Sequence, residues 1–186
     1  MRTPLVAGNW KMNKTVEEAR SLVAEMLPGL QEVKSVEQVL CPPFMSLMPV
    51  SAMLVGTEIG LGAQNLHWEK SGAFTGEVSA AMIREFCSYV IIGHSERRTY
   101  FGETDATVNK RLNAALANGL IAIVCIGETL AENEAGKTGA VLERQLRDGL
   151  KDIPVEQLDR LVIAYEPGGA IGTGRAATGL DANRIV

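Results

Sequence analysis

Cysteine is scarce in this chain, with only Cys41, Cys87 and Cys125, an odd and widely spaced set. That excludes a disulfide framework. Cys41 and Cys125 lie in apolar strand-like runs, so we expect buried, reduced thiols and a cytoplasmic protein. Long hydrophobic runs are missing as well: no window approaches the ~18 uninterrupted apolar residues of a membrane span. Met1-Arg2-Thr3-Pro4 leads straight into a strand-like stretch, which predicts no signal or transit peptide. No charge of one sign dominates, since the formal net charge is −4 and the charges are interspersed. This argues against a nucleic-acid groove or a membrane patch, and a phosphorylated substrate would need a local electropositive site. Two histidines and three scattered cysteines offer no metal-ligand spacing, and no GxGxxG or P-loop pattern is found, so no metal or other cofactor is expected.

What is present is an ordinary globular balance, 46% hydrophobic and 22% charged over 186 residues, which predicts one domain with a sizeable core. Short apolar runs alternate with longer helix-period segments. Strands are expected at Leu5–Asn9, Val36–Cys41, Glu58–Gly62, Tyr89–Ile92, Ala122–Ile126 and Leu161–Tyr165. Helices are expected at Val16–Leu30, Met45–Met53 (after Pro42-Pro43), Val78–Glu85, Asp105–Ala117 and Ala140–Leu150, with another starting at Leu180–Val186. β-Branched strands spaced by helices imply a parallel sheet with helical crossovers, either an open doubly wound sheet or a (β/α)₈ barrel. The polar clusters Asn9–Lys11, Gln64–Asn65, His94–Glu96, Gly127–Glu128 and Glu166–Pro167 fall at or just beyond C-terminal strand ends. In either architecture that rim binds ligands.

Three segments could do chemistry: Gly8-Asn9-Trp10-Lys11-Met12-Asn13, Gly93-His94-Ser95-Glu96-Arg97-Arg98, and Ala164-Tyr165-Glu166-Pro167 followed by Ala170-Ile171-Gly172-Thr173-Gly174. Taken singly, each has an ordinary explanation: a solvated lysine, a hydrogen-bonded structural histidine, a turn before proline. Together they supply a carboxylate to remove a proton beside a carbonyl, an imidazole to polarise that carbonyl, and an ammonium to steady an enediolate. The glycine-rich stretch Gly168–Gly174 is either a plain surface loop or a lid whose backbone N–H groups can approach a phosphate.

These segments resemble triosephosphate isomerase in order and spacing, through Asn9-Trp10-Lys11, Gly93-His94-Ser95-Glu96-Arg97-Arg98 and Tyr165-Glu166-Pro167. Further matching stretches are Cys41-Pro42-Pro43, Gly62-Ala63-Gln64-Asn65, Gly72-Ala73-Phe74-Thr75-Gly76-Glu77 and Cys125-Ile126-Gly127-Glu128. The resemblance implies an α/β chain of the TIM (β/α)₈-barrel type, occupying residues 1–186 as one domain. It implies interconversion of dihydroxyacetone phosphate and glyceraldehyde 3-phosphate, a reaction of glycolysis and gluconeogenesis. Glu166 would be the base, His94 the neutral electrophile, and Lys11 the positive charge near phosphate and enediolate. Asn9 would hydrogen-bond the substrate, and Gly172 would offer its N–H to the phosphate. Glu96 and Ser95 would support the charged site, and Ile171 would help cover Glu166. The segment Gln64–Glu77 would be an interdigitating dimer loop, with Thr75 reaching into a neighbouring subunit.

Two departures modify this expectation. The family's usual Val-Trp after Glu-Pro is replaced by Gly168-Gly169, a change that reads as engineered and that predicts costlier lid ordering, slower turnover and more phosphate elimination. Arg175, where lysine is common, keeps the charge. Complete barrels have eight strands and ~250 residues, whereas the pattern here gives about six βα units. The last two units are therefore expected to be lacking, as in a fragment, a barrel completed by partners, or part of a longer chain. The rival to an active isomerase is a silent barrel fragment whose open edges make it an assembly or folding module.

Overall fold

The computed structural model describes residues 3–167 and Asn183. The expected lid Gly168–Gly174, with Ile171 and Gly172, lies outside the described residues, as do Arg175 and, apart from Asn183, the helix expected at Leu180–Val186. The chain divides into two compact units. One comprises the residues up to Ile91 together with Ala114–Ile121; the other comprises Ile92–Asn113 and the residues from Ala122 onward.

In the first unit, β1 (Leu5–Asn9), β2 (Glu37–Cys41), β3 (Gly60–Ala63) and β4 (Tyr89–Ile92, with Ile92 itself in the second unit) follow one another in chain order, all parallel. Leu5 pairs with Glu37, Val39 with Gly60 and Gly62 with Tyr89. This run contains no reversal of strand order, the feature that marks the ligand crevice of a doubly wound sheet. Parallel strands need crossovers. Two of these are α1 (Val16–Glu32) and α2 (Phe44–Leu54), each slightly longer than its apolar period suggested. Thr15 and Glu18 form a reciprocal capping box that starts α1. Pro43 serves as N-cap for α2. The third helix, α3 (Ala80–Arg84), is shorter than expected because Ser79 caps it and bonds the Met82 N–H. The core includes Val23, Val39, Val50, Leu66, Ile83 and Val90, each with at most 1% of its surface exposed.

In the second unit, β5 (Ile121–Ile126, with Ile121 itself in the first unit) runs parallel to β6 (Leu161–Tyr165), pairing Ala122 with Leu161 through to Ile126 with Tyr165. Two elements here were not foreseen from the sequence, α4 (Ser95–Phe101) and α6 (Leu130–Glu134), as was a 3₁₀ turn at Val155–Arg160. They are too short to express a hydrophobic period. Between them lie α5 (Asp105–Ala117), which crosses from this unit into the first, and α7 (Thr138–Gly149). The α7 helix buries Val141, Leu142, Gln145 and Gly149 on one face. Among the described residues no helix is long and apolar enough to cross a membrane.

Candidate active site

The polar clusters stand where the strands end: β1 at Asn9, β3 just before Gln64, β4 just before Gly93, β5 just before Gly127 and β6 just before Glu166. Each unit carries one set of the residues singled out above.

In the second unit the chain leaves β4 through Gly93, whose φ of +72° lies in the left-handed region. A side chain there would press on Val108. Arg98 reinforces the turn: its Nε donates to the Gly93 carbonyl at 2.8 Å, and its Nη1 pairs with Asp105 at 2.6 Å. Asp105 also receives Arg144 Nε at 3.1 Å. A second charged cluster pairs Glu103, buried, with Arg97 and Arg111. The turn therefore rests on buried and half-buried ion pairs rather than on apolar packing alone.

That turn delivers His94 to the N-cap of α4, where only 8% of it is exposed. Its Nδ1 accepts the backbone N–H of Glu96 at 3.2 Å. A nitrogen that accepts carries a lone pair, which leaves Nε2 as the ring nitrogen placed to donate. Nε2–H points at Oε1 of Glu166, 3.0 Å away. The other oxygen of Glu166 accepts the backbone N–H of Ser95 at 2.9 Å. Ser95 thus acts through its main chain, and its hydroxyl is buried without a hydrogen-bond partner among the described residues. The carboxylate of Glu96 lies 3.5 Å from His94 Nδ1. His94, Ser95, Glu96 and Glu166 are therefore brought together.

Glu166 is held from behind. Its N–H donates to the Ile126 carbonyl at 2.7 Å, and a Cβ placed on Gly127 would fall on its carbonyl oxygen. Beside it, the buried carboxylate of Glu128 accepts Tyr165 Oη at 3.1 Å and Asn133 Nδ2 at 2.7 Å. Sequence reading placed Glu128 on the rim without a role; nothing in the spacing tied it to the tyrosine of the next strand. A groove of about 560 Å³ runs past these residues, lined by Ser95, Glu96, Gly127, Glu128, Arg144 and Gln145 among others.

In the first unit, Lys11 has φ +54°, left-handed and strained for a side-chain-bearing residue. Asn9 stabilises this conformation, its Oδ1 accepting the Lys11 N–H at 3.0 Å. Gln64 donates to the carbonyls of Lys11 and Cys41, at 2.9 and 2.8 Å, and so ties the ends of three strands together. Cys41 supplies no nucleophile: burial, with Cys87 adding to it, pushes its thiol up to about 12. Among the described residues no group of three His, Cys, Asp or Glu is placed to hold a metal.

Thr75 is exposed on a loop in the same unit. That loop closes on itself: Phe74 N–H donates to Gly72 O, Glu77 N–H to Phe74 O, and His67 N–H to Val78 O. His67 packs its ring on Trp68 and Phe74, with centroids 4.3 and 4.6 Å away. Thr75 is thus presented at the tip of a braced loop.

Comparison with known proteins gives one consistent answer. The family model described as triosephosphate isomerase matches residues 4–186. The triosephosphate isomerase of Moorella thermoacetica is 56% identical, aligned over 100% of this chain and 75% of its own length. That of Symbiobacterium thermophilum is 57% identical over 94% of this chain and 69% of its own length. The crystal structure of triosephosphate isomerase from Bartonella henselae superposes with a TM-score of 0.84 at 41% identity, covering 90% of this chain and 69% of that one.

Proposed function

The chain belongs to the triosephosphate isomerase family, an isomerase family whose fold is α/β of the TIM-barrel type, and from that premise we propose that Glu166 and His94 interconvert dihydroxyacetone phosphate and glyceraldehyde 3-phosphate by proton transfer. The observation that carries the reading is the placement of His94, whose Nδ1 accepts the Glu96 N–H and whose Nε2 lies 3.0 Å from the Glu166 carboxylate. A substrate carbonyl oxygen inserted between them takes Nε2–H as its hydrogen-bond donor. Oε1 of Glu166 is then released toward the neighbouring C–H. The carboxylate takes that proton, the electron pair of the C–H bond moves to form the enediolate, and charge gathers on the oxygen that His94 polarises. The hydroxyl proton passes from its oxygen to the one that carries the charge, with His94 as the relay, and return of the abstracted proton to the adjacent carbon completes the isomerisation without loss or gain of atoms.

Lys11 is assigned to the phosphate and enediolate charge, in a molecule otherwise negative, and Asn9 to substrate oxygens. The strained φ of Lys11, braced by Asn9 and Gln64, supports a fixed ammonium anchor. Gly172, Ile171 and the Gly168-Gly169 hinge keep their proposed lid roles but lie outside the described residues. We assign the protein to the cytoplasm on its buried thiols. A homodimer is assigned through the braced Gln64–Glu77 loop that presents Thr75.

The test is isomerisation of glyceraldehyde 3-phosphate by the purified chain beside Glu166→Gln. Wild-type activity that falls by at least about 10²- to 10⁴-fold in the variant supports the assignment. Equal rates from the two folded proteins would sink it. A second reading, a silent assembly module, draws on apolar side chains left open on β1 and β6, where Val6 is 63% and Ile163 41% exposed. Light scattering separates the two readings: concentration-dependent assembly without isomerisation would favour the module.

A further inference from the structure

Gln145 is a polar residue on the buried face of α7, 5% exposed and flanked by Val141 and Leu142. Its amide grips one residue from both sides: Oε1 accepts the Gly127 N–H at 2.8 Å and Nε2 donates to the Gly127 carbonyl at 2.9 Å. Two bonds from one planar group fix both the position and the tilt of the chain at Gly127. Gly127 in turn abuts Glu166 with no room for a side chain between them, and the Glu166 N–H is anchored on the carbonyl of Ile126. The backbone from which the Glu166 carboxylate projects is therefore seated on a segment whose place is set by Gln145. Gln145 makes no hydrogen bond to His94, Ser95 or Glu166 among those described.

We propose that Gln145 is a positioning residue for Glu166, acting through Gly127 to hold the carboxylate at His94 Nε2. The proposal rests on the reading of Glu166 as the base. It explains why a glutamine occupies an apolar stripe: a hydrocarbon of equal size would fill the space but leave both Gly127 groups without partners and the strand end free to drift. A drift of about 1 Å at a reacting group is enough to lower a rate about 10²-fold.

The chain has two histidines, His67 and His94, so nitrogen NMR of histidine-labelled protein yields two resolvable rings. The His94 Nε2 signal reports its bond to Glu166, and the His67 signal, from the other unit, reports the fold. Glu166→Gln sets the scale by changing the His94 signal alone. Gln145→Met, close in size without either bond, and Gln145→Glu, which keeps the acceptor and loses the donor, should each move the His94 signal away from wild type with His67 unchanged. Their kcat should fall about 10- to 100-fold with KM within about twofold. Native His94 signals and wild-type kcat in both folded variants would overturn the proposal. So would loss of the native His67 signal in both, which would make Gln145 a folding residue only. Failure of Glu166→Gln to change His94 would instead discredit the underlying pairing of base and imidazole.

Discussion

At the scale of single residues, the site depends on one position where nothing larger than hydrogen fits. A methyl group on Gly127 would meet the Glu166 main chain rather than a flexible side chain, so the strand end or Glu166 must move. Gly127→Ala should destabilise the fold by about 1–3 kcal/mol, measured by denaturant unfolding. It should also lower kcat beyond what the folded fraction explains. A variant with wild-type kcat would mean that the Glu166 carboxylate tolerates a shift of its own backbone. Glu166 and His94 were legible in the sequence because each follows an apolar run and carries a group that can move or direct a proton. The neutral electrophile role of His94 was implied by resemblance alone, and the Glu96 N–H donating to Nδ1 was not legible in the sequence. Gln145 and Glu128 were not legible as contacts. A glutamine four residues beyond Val141 reads as one more polar helix position, and Glu128 meets Tyr165 only because β5 and β6 lie side by side.

Among elements, the strands were the most legible and the short helices the least. β4 and β6 fall where their apolar runs predicted, because parallel strands are apolar throughout and their flanking residues are not; β4 is buried along its length, whereas β6 is half-buried with Ile163 exposed. For α6 a local signal was available, since Thr129 followed by Glu132 spells a capping box, and both halves form: Oγ1 accepts the Glu132 N–H, and the carboxylate accepts the Thr129 N–H at 2.8 Å. For α4 none was, because histidine is an uncommon cap. Thr129→Ala should cost about 1 kcal/mol at neutral pH. Bonds from the Thr129 backbone, then its hydroxyl, hold the Glu132 carboxyl below its ordinary value of 4.5. A carboxyl lowered on folding stabilises above its unfolded value, and that contribution is lost as pH falls through the lower folded one. The difference between wild type and Thr129→Ala should therefore shrink below about pH 4.5, checked by paired urea midpoints at pH 7 and pH 3. An unchanged difference would mean that the threonine hydroxyl, not the glutamate, carries the cap.

For the molecule as a whole, the alternation of strands and helices was legible, but its division into two compact units was not, because Ala114–Ile121 returns to the first unit and only the folded chain records that. That unit holds three groups whose ionisation folding opposes. Burial pushes the thiols of Cys41 and Cys87 up to about 12 from an ordinary 9. Burial, followed by the hydrogen bond to Glu37, raises the Tyr89 hydroxyl as well. The sign follows from proton counting. Below pH 9 both folded and unfolded thiols are protonated, so stability does not depend on them. Between pH 9 and about 12 the unfolded chain releases these protons while the folded chain keeps them, so alkali favours unfolding. Tyr89 adds to the slope above pH 10. Urea midpoints should stay level with respect to the thiols up to about pH 9 and then fall, and Cys41→Ala with Cys87→Ala should flatten that decline while lowering the plateau through lost packing. Native protein should also resist thiol reagents at pH 8 until denaturant unfolds it. A midpoint that declines equally in the double variant would assign alkaline unfolding to Tyr89 and the surface charges instead of the buried thiols.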